Sequence, residues 1–226
     1  MASHESMKGS QLNRDSDENI RSVCKHYQLA AGIIQYIKLN ILPKITDIKT
    51  QAISMSLESL DMVEYLMLAQ AQLCFYEKAI RDRKAGGMKA SIIAKLASQT
   101  AEYYNQANKL CSSLNLSRVL DPFWRNHTEY QQHLFEGASE YWMSIAVKDE
   151  AAARAFGFGE EIARLRKAER IIAKLTNLPS NNNIDTLFKT IISSKLQAES
   201  DNKSIYMESI PSESSLVGIE KISMVR

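Results

Sequence analysis

Only eight glycines and four prolines interrupt this chain of 226 residues, and their scarcity constrains the fold more than any other feature. A sheet of many short strands needs frequent turns, and turns are built largely from these two residues. Leucine, isoleucine, alanine, lysine and glutamate are abundant instead, and most of these favour helices. The sequence therefore predicts an all-α fold.

Apolar residues recur at spacings of three and four along most of the chain, which predicts six helices. The first helix is expected to begin near Asp15, because Asp15 and Glu18 have the spacing of a capping box. Pro43 should end or kink it. Residues 1–14 are polar and show no periodicity, so we interpret them as a disordered lead-in.

Glycine, proline and asparagine mark where the later helices begin and end. Gly86-Gly87 closes the second helix, and Asp121-Pro122 opens the fourth with a cap residue followed by proline at the first helical position. A short break near Lys148-Asp149 is predicted to separate the fourth helix from the fifth. The second, third and sixth helices are predicted over residues 57–85, 88–114 and 184–199, with a polar link over 44–56 and a loop over 178–183.

Residues 204–226 alternate short apolar clusters with Pro, Ser and Gly, and we predict that they form an extended strap. Long helices joined by short links favour antiparallel neighbours, and a row of such pairs makes a tetratricopeptide-like solenoid. The predicted domain thus covers residues 15–226, with a helical core over 15–200 and the strap over 204–226.

The charges of the chain are nearly balanced, with 28 basic and 26 acidic residues and a formal net charge of +2. No global field should attract nucleic acid or an anionic membrane, so any such contact is expected to be local. Cys24, Cys74 and Cys111 are far apart and odd in number, which is typical of reduced core thiols in the cytosol. Neither a signal peptide nor a membrane span is recognisable, so we predict a cytoplasmic protein whose membrane contact is peripheral.

The residue patterns of catalytic and metal sites are not recognisable. His127 and His133 are six residues apart on a predicted helix, about 600° of rotation, which puts them on nearly opposite faces. The segment 156–159, Phe-Gly-Phe-Gly, looks like a phosphate loop, but Glu160 and Glu161 follow it and would repel a phosphate. We interpret it as a tight turn before a helix whose dipole these acids complement. The sequence predicts no enzyme, cofactor, metal or small-molecule substrate.

Four basic residues lie along one side of the fifth predicted helix: Arg164, Lys167, Arg170 and Lys174. One interpretation is a solvated helix face. The other is contact with acidic lipid headgroups or with acidic residues of a partner. No aromatic residues alternate with these charges, so nucleic-acid binding is not predicted.

Three apolar residues lie at or beyond the edge of the apolar stripe with which a helix faces the core. Ile92 and Leu96 form an i, i+4 pair at the margin of that stripe, and Phe75 belongs to the second helix, which is apolar on more than one side. Either all three are buried in the core, or they form an exposed groove on which an amphipathic helix would dock. Periodicity does not decide between the two.

Several segments resemble the Bro domain of the Alix-like family, and their order agrees from about Asp17 to Arg226. The longest likeness is the run LMLAQAQ at residues 66–72, followed by CFY at 74–76 and SIIAKLA at 91–97. The other segments are KHYQLAAG at 25–32, FGEEIARL at 158–165, SIY at 204–206 and IP at 210–211.

This resemblance implies a tetratricopeptide-like helical core, of which the chain would be the C-terminal portion. It also implies a partner, because in this family a concave hydrophobic patch binds the C-terminal amphipathic helix of an ESCRT-III subunit, the Snf-type or charged multivesicular body protein. That contact brings the adaptor to endosomal membranes. Carried over to this sequence, the patch falls on Phe75, Ile92 and Leu96, and an acid and a base beside it fall on Asp17 and Arg21.

Two functional hypotheses follow. The first is a non-catalytic adaptor for an ESCRT-III subunit, and the alternative is a peripheral membrane scaffold that acts through the basic helix face, without a specific groove. Tyr206 in the strap is either an anchoring residue or, if exposed, a regulatory one.

Overall fold

The computed structural model of this chain describes residues 1–45, 56–175 and 182–225. Within these ranges it contains seven α-helices and no β-strand, which confirms the all-α prediction. The predicted link over 44–56 and the loop over 178–183 lie largely outside the described residues. The helices are α1 (Ala2–Gln11), α2 (Asp17–Tyr36), α3 (Leu57–Lys84), α4 (Ala90–Cys111), α5 (Pro122–Arg154), α6 (Phe158–Ala173) and α7 (Asn182–Asp201).

Helix α1 occupies most of the segment predicted to be disordered, so that prediction is wrong for residues 2–11. The helix is held by contacts with α2. Glu5 Oε2 lies 2.7 Å from His26 Nδ1, and Gly9 lies so close to the ring of Tyr27 that a Cβ at that position would be 3.1 Å from it. A short isolated helix is marginal in water, so these tertiary contacts stabilise a segment whose own sequence carries no strong helical signal.

The N-cap of helix α2 lies one residue after the predicted cap, Asp15. Ser16 is the N-cap, and its hydroxyl accepts a hydrogen bond of 3.1 Å from the backbone N–H of Asn19. Beyond Tyr36 the chain continues as a π-helical segment (Ile37–Ile41) and a 3₁₀ turn (Leu42–Lys44) that contains Pro43. The proline ends the helix as predicted, because its ring and missing N–H prevent further α-helical bonds.

Helix α5 runs for 33 residues without the break predicted near Lys148-Asp149. Neither residue is a strong helix breaker, so the charged pair was a poor boundary signal. The helix ends instead at Arg154, where Ala155 and Gly157 adopt positive φ angles of 62° and 102°.

Helix α7 passes into a π-helical segment (Asn202–Tyr206), and residues 207–225 then contain only one 3₁₀ turn (Glu213–Ser215). We call residues 207–225 the strap. It begins slightly later than the predicted start at Ser204.

The chain forms two compact units, each assembled from separate stretches of sequence. The first unit consists of Met1–Lys78, Gln99–Gln132 and Ser223–Arg226, and the second of Ala79–Ser98 and His133–Ile222. A hydrophobic cluster in the first unit contains Ile20, Val23, Cys24, Tyr27, Ala71, Cys74 and Val225. In the second unit, fully buried side chains include Ile93, Ile162, Leu165, Ile172 and Ile191.

All three cysteines are buried and free, as the sequence predicts. Across the described ranges, no helix is both long enough and apolar enough to cross a membrane.

Candidate partner-binding site

A pocket of about 230 Å³ lies between α2 and α3 in the first unit. On α2 its lining residues repeat at four-residue spacing from Ile20, which places them on one face of the helix. We call it the Phe75 pocket. Its lining is Ile20, Arg21, Cys24, Gln28, Cys74, Phe75 and Lys78.

Phe75 is the large apolar side chain of this pocket that is only half-buried. Part of its ring packs against the hydrophobic cluster of the first unit, which includes the fully buried Ala71 and Cys74 one turn and one residue before it. The remaining surface faces the pocket. An aromatic ring that is packed against the core on one side and exposed on the other loses little conformational entropy when a partner covers it.

Charged groups surround the pocket, and they include a lysine in addition to the acid and the base that the resemblance implies. Asp17 Oδ2 accepts a hydrogen bond of 2.9 Å from Lys78 Nζ, so Asp17 pairs with a lysine that the prediction missed. Lys78 lies one helical turn after Phe75, and this spacing could have identified it from the sequence as a residue beside the pocket. Arg21 is exposed, and among the described residues no carboxylate lies within ion-pair distance of it. The pocket therefore presents a guanidinium beside an apolar ring.

Two thiols, those of Cys24 and Cys74, also line the pocket. Cys24 Sγ lies 3.7 Å from both Gln28 Oε1 and the carbonyl oxygen of Ala71, and Cys74 Sγ lies 3.4 Å from the carbonyl oxygen of Gln70. A hydrogen bond from the Cys74 thiol lowers the pKa of Cys24. The same bond, together with burial, raises the pKa of Cys74. Both thiols thus lie in one small pocket, on neighbouring helices.

The aliphatic residues of the predicted patch, Ile92 and Leu96, belong to the part of α4 in the second unit. Ile92 is half-buried, whereas Leu96 is only 4% exposed. The expectation that Leu96 opens to solvent is therefore wrong. Leu96 shares a helix face with Ile93, Ala97 and Thr100, which are all fully buried, so it belongs to the core stripe and not to its margin.

The basic stripe predicted on α6 is not an open charged face, because Arg164 is only 3% exposed. Its guanidinium donates hydrogen bonds to Glu140 Oε2 (2.9 Å), to Glu160 Oε1 (3.0 Å) and to the carbonyl oxygen of Val217 in the strap (2.8 Å). Lys167 Nζ lies 2.6 Å from Glu140 Oε1. The interpretation of Arg164 as part of a solvated or membrane-facing surface is wrong, since α5 and the strap satisfy this charge inside the unit.

The other two residues of the stripe remain at the surface. Arg170 pairs with Glu213 of the strap, with Nε and Oε2 3.0 Å apart, and this hydrogen bond lowers the pKa of Glu213. Lys174 is exposed at the end of α6. Three of the four predicted cations thus already have carboxylate partners within the chain.

The Phe-Gly-Phe-Gly segment forms the predicted tight turn before α6, but a further acid completes it. The carboxylate of Glu208 in the strap accepts hydrogen bonds from the backbone N–H groups of Gly157 (2.8 Å) and Gly159 (3.0 Å). The sequence analysis missed Glu208 because the contact spans 51 residues. Beside it, the Tyr206 ring stacks on Phe158 with centroids 3.7 Å apart and planes at 7°, a contact that suits an anchoring tyrosine.

No group of three or more His, Cys, Asp or Glu side chains in the described parts of the chain could hold a metal ion. His127 stacks on Phe123, with ring centroids 5.7 Å apart, and burial lowers its pKa. His133 Nδ1 lies 3.0 Å from Glu136 Oε2. Each histidine thus contacts another side chain of the protein, as structural histidines commonly do.

Comparison with known proteins gives consistent matches. The family model of the BRO1-like domain matches residues 1–226 of this chain. Programmed cell death 6-interacting protein of Xenopus laevis is 32% identical over 220 residues, and pH-response regulator protein palA/RIM20 of Emericella nidulans is 30% identical over 221 residues. These alignments cover 96% and 95% of this chain but 24% of each relative, so the chain spans about a quarter of their length.

Solved structures match over the whole chain. The ALIX BRO1 domain in a complex with CHMP4C superimposes with a TM-score of 0.87 at 30% identity, and the match covers 59% of that domain's chain. A Bro1 domain solved as a structural basis for endosomal targeting gives a TM-score of 0.80 at 17% identity, and this likeness concerns the fold alone. That the matched part is the C-terminal portion of the domain stays a prediction.

Proposed function

Because this chain belongs to the BRO1-like domain family, we propose that it is a non-catalytic adaptor that binds the C-terminal amphipathic helix of an ESCRT-III subunit. The observation that carries the proposal is the Phe75 pocket, where a half-buried ring stands beside the exposed Arg21. A relative that is 30% identical was solved with CHMP4C, which supports the choice of partner. The proposal includes a tetratricopeptide-like arrangement of the helices.

The chemistry of the pocket suits an amphipathic helix. Leucine or methionine side chains on the apolar face of such a helix would cover Phe75, while acidic residues on its flank would reach Arg21. Ile92 belongs to the second unit, and its contact with the partner is a separate part of the proposal. Leu96 is 4% exposed, so we assign it a supporting role beneath Ile92, one turn away on the same helix face. Asp17, paired with Lys78, belongs to the rim, where charges act mainly on association rate and specificity.

The test is a titration of the chain with a fluorescent peptide of an ESCRT-III C-terminal helix. Phe75→Ala removes an interface anchor, which costs at least about 2 kcal/mol, or roughly a thirtyfold loss of affinity. The matched control is Phe123→Ala, the same substitution at a ring that is 62% exposed and lies outside the pocket lining. It should leave the affinity unchanged.

Ile92→Asp should abolish binding, because it places a charge in the apolar contact. Circular dichroism of each variant shows whether the helices remain intact. An affinity for Phe75→Ala or Ile92→Asp within twofold of the parent chain, at unchanged helicity, would refute the site assignment.

The charge of Arg21 provides a separate test. Arg21→Glu should weaken binding and reverse the salt dependence, because an attraction for acidic peptide residues becomes a repulsion that salt screens. Arg21→Lys keeps the charge and should retain most of the affinity. Equal binding by the Glu and Lys variants would exclude Arg21 from the interface.

The ESCRT-III partner would also determine localisation, with a cytoplasmic chain recruited to endosomal membranes. In cells, a fluorescent fusion of the chain should gather on endosomes, and its Phe75→Ala variant should stay dispersed. The alternative of a membrane scaffold that uses the basic face of α6 loses support, because Arg164 is buried and both Lys167 and Arg170 are paired. A regulatory role for Tyr206 is likewise not included, since its ring is stacked on Phe158.

A further inference from the structure

The Phe75 pocket contains two cysteines to which the proposed function assigns no role. We propose that Cys24 and Cys74 form a reversible disulfide when they react with a hydroperoxide, which makes the pocket a redox modification site. This proposal is independent of the identity of any partner.

The positions of the two thiols carry the inference. Cys24 comes from α2 and Cys74 from α3, and both belong to one hydrophobic cluster and line one pocket. Cys24 Sγ lies 3.7 Å from the carbonyl oxygen of Ala71, the residue one turn before Cys74. Two thiols that face one small pocket from neighbouring helices can form a disulfide when rotations of their side chains bring the sulfur atoms together.

The pocket also gives a small oxidant access to the thiols. Its volume of about 230 Å³ is several times the roughly 30 Å³ that a water molecule takes up in the liquid. Hydrogen peroxide is only slightly larger than water, so it can enter the pocket. Cys111 has no such access through this pocket, because it is buried and does not line the pocket, whereas Cys24 and Cys74 do. The reaction should therefore distinguish Cys24 and Cys74 from Cys111.

Cys24 is the better nucleophile of the pair. The thiolate is the reactive form of cysteine, and the hydrogen bond from Cys74 lowers the pKa of Cys24. Arg21 and Lys78 line the same pocket, and positive charges favour a thiolate. Cys74, whose pKa is raised, remains a thiol until the second step.

The two steps balance without any further reactant. The Cys24 thiolate attacks one peroxide oxygen, the O–O bond breaks, and the departing hydroxide takes up the proton that Cys24 released, so that a sulfenic acid and one water are formed. Cys74 Sγ then attacks the Cys24 sulfur, the S–O bond breaks, and the leaving hydroxide takes the Cys74 proton as a second water. Two thiols and one hydrogen peroxide thus give one disulfide and two waters.

The experiment is peptide mapping of the whole chain after treatment with hydrogen peroxide, followed by alkylation of the remaining thiols and digestion with trypsin. The expected product is the peptide Ser22–Lys25 joined to the peptide that ends at Lys78, with the mass of two hydrogen atoms lost. Cys111 should be recovered alkylated, and dithiothreitol should release the two linked peptides. The wild-type chain suffices, so the result does not depend on how well a variant folds.

Cys24→Ser and Cys111→Ser complete the design as a matched pair. The first should abolish the cross-link, and the second should leave it unchanged. The proposal is overturned if peroxide leaves all three cysteines alkylatable, if the link involves Cys111, or if Cys24 and Cys74 are oxidised separately to sulfinic acids. A chain that forms this disulfide but binds no ESCRT-III peptide would refute the proposed function and leave the redox site intact.

Discussion

Replacing Arg164 with methionine should destabilise the chain more than any other single change in the stripe of basic residues on α6. The substitution keeps the length of the side chain but removes a guanidinium whose side chain is 3% exposed. It leaves the carboxylate of Glu140, 7% exposed, inside the second unit. Removing one partner of a buried ion pair costs about 3–5 kcal/mol.

The lower end of that range applies here, because Lys167 Nζ still lies 2.6 Å from Glu140 Oε1 and is itself 27% exposed. We therefore expect a loss of about 3 kcal/mol, which reduces the folding equilibrium constant roughly a hundredfold. The bond from Arg164 to the carbonyl oxygen of Val217 is lost as well, so part of this effect should appear as loosening of the strap.

The assay is urea unfolding followed by helical circular dichroism, with Lys174→Met as the matched control. Lys174 is exposed, so its replacement should change the free energy of unfolding by less than about 0.5 kcal/mol. Glu140→Gln, alone and combined with Arg164→Met, completes a double-mutant cycle in which the combined loss should be smaller than the sum of the two single losses. Equal stabilities of Arg164→Met and Lys174→Met would contradict the burial argument.

Two further predictions concern packing and pH. Gly159→Ala should lower the free energy of unfolding by about 1–3 kcal/mol, because its Cβ would lie 2.3 Å from the backbone oxygen of Ser209. Gly32→Ala should raise it by about 0.5–1 kcal/mol, because a Cβ at that position has no atom within 4 Å. Chemical unfolding of both variants checks this contrast, and equal effects would contradict it. The hydrogen bond with His26 lowers the pKa of Glu5 below its ordinary value of 4.5, so its contribution to the docking of α1 should be complete above pH 4.5 and disappear as the pH falls through the lowered pKa. Hydrogen exchange of the α1 amides should reveal this loss, and in Glu5→Gln the same transition should be absent.

Local signals in the sequence were sufficient for most helix boundaries. Gly86-Gly87 follows α3 closely, and Asp121-Pro122 coincides with the start of α5, because these residues act through backbone conformation that depends little on the rest of the fold. The charged pair Lys148-Asp149 carried no comparable constraint, and α5 passes through it. Helix α1 was missed because its stability comes from His26 and Tyr27 of the next helix.

The candidate site was predicted less completely, because exposure depends on contacts that are distant in sequence. Phe75 and Arg21 do line one pocket, but only three-dimensional contacts reveal that Lys78 pairs with Asp17. Leu96 was assigned to an open patch, although its helix face is buried.

Long-range contacts also decided the role of Arg164. Its burial depends on Glu140, 24 residues away, and on Val217, 53 residues away. Helical periodicity gives the angle of a side chain around its helix axis, and it contains no information about a carboxylate that approaches from another element.

The two units are interleaved along the sequence, and this limits how the chain can be divided. Helices α3, α4 and α5 each belong partly to one unit and partly to the other, and Ser223–Arg226 returns to the unit in which the chain began. No single cut therefore yields a fragment that contains one whole unit and nothing else. Expression of truncated pieces, circular permutation and exchange of segments between relatives should all respect this arrangement, because each cut would remove helical turns or the buried Val225 from a core that needs them.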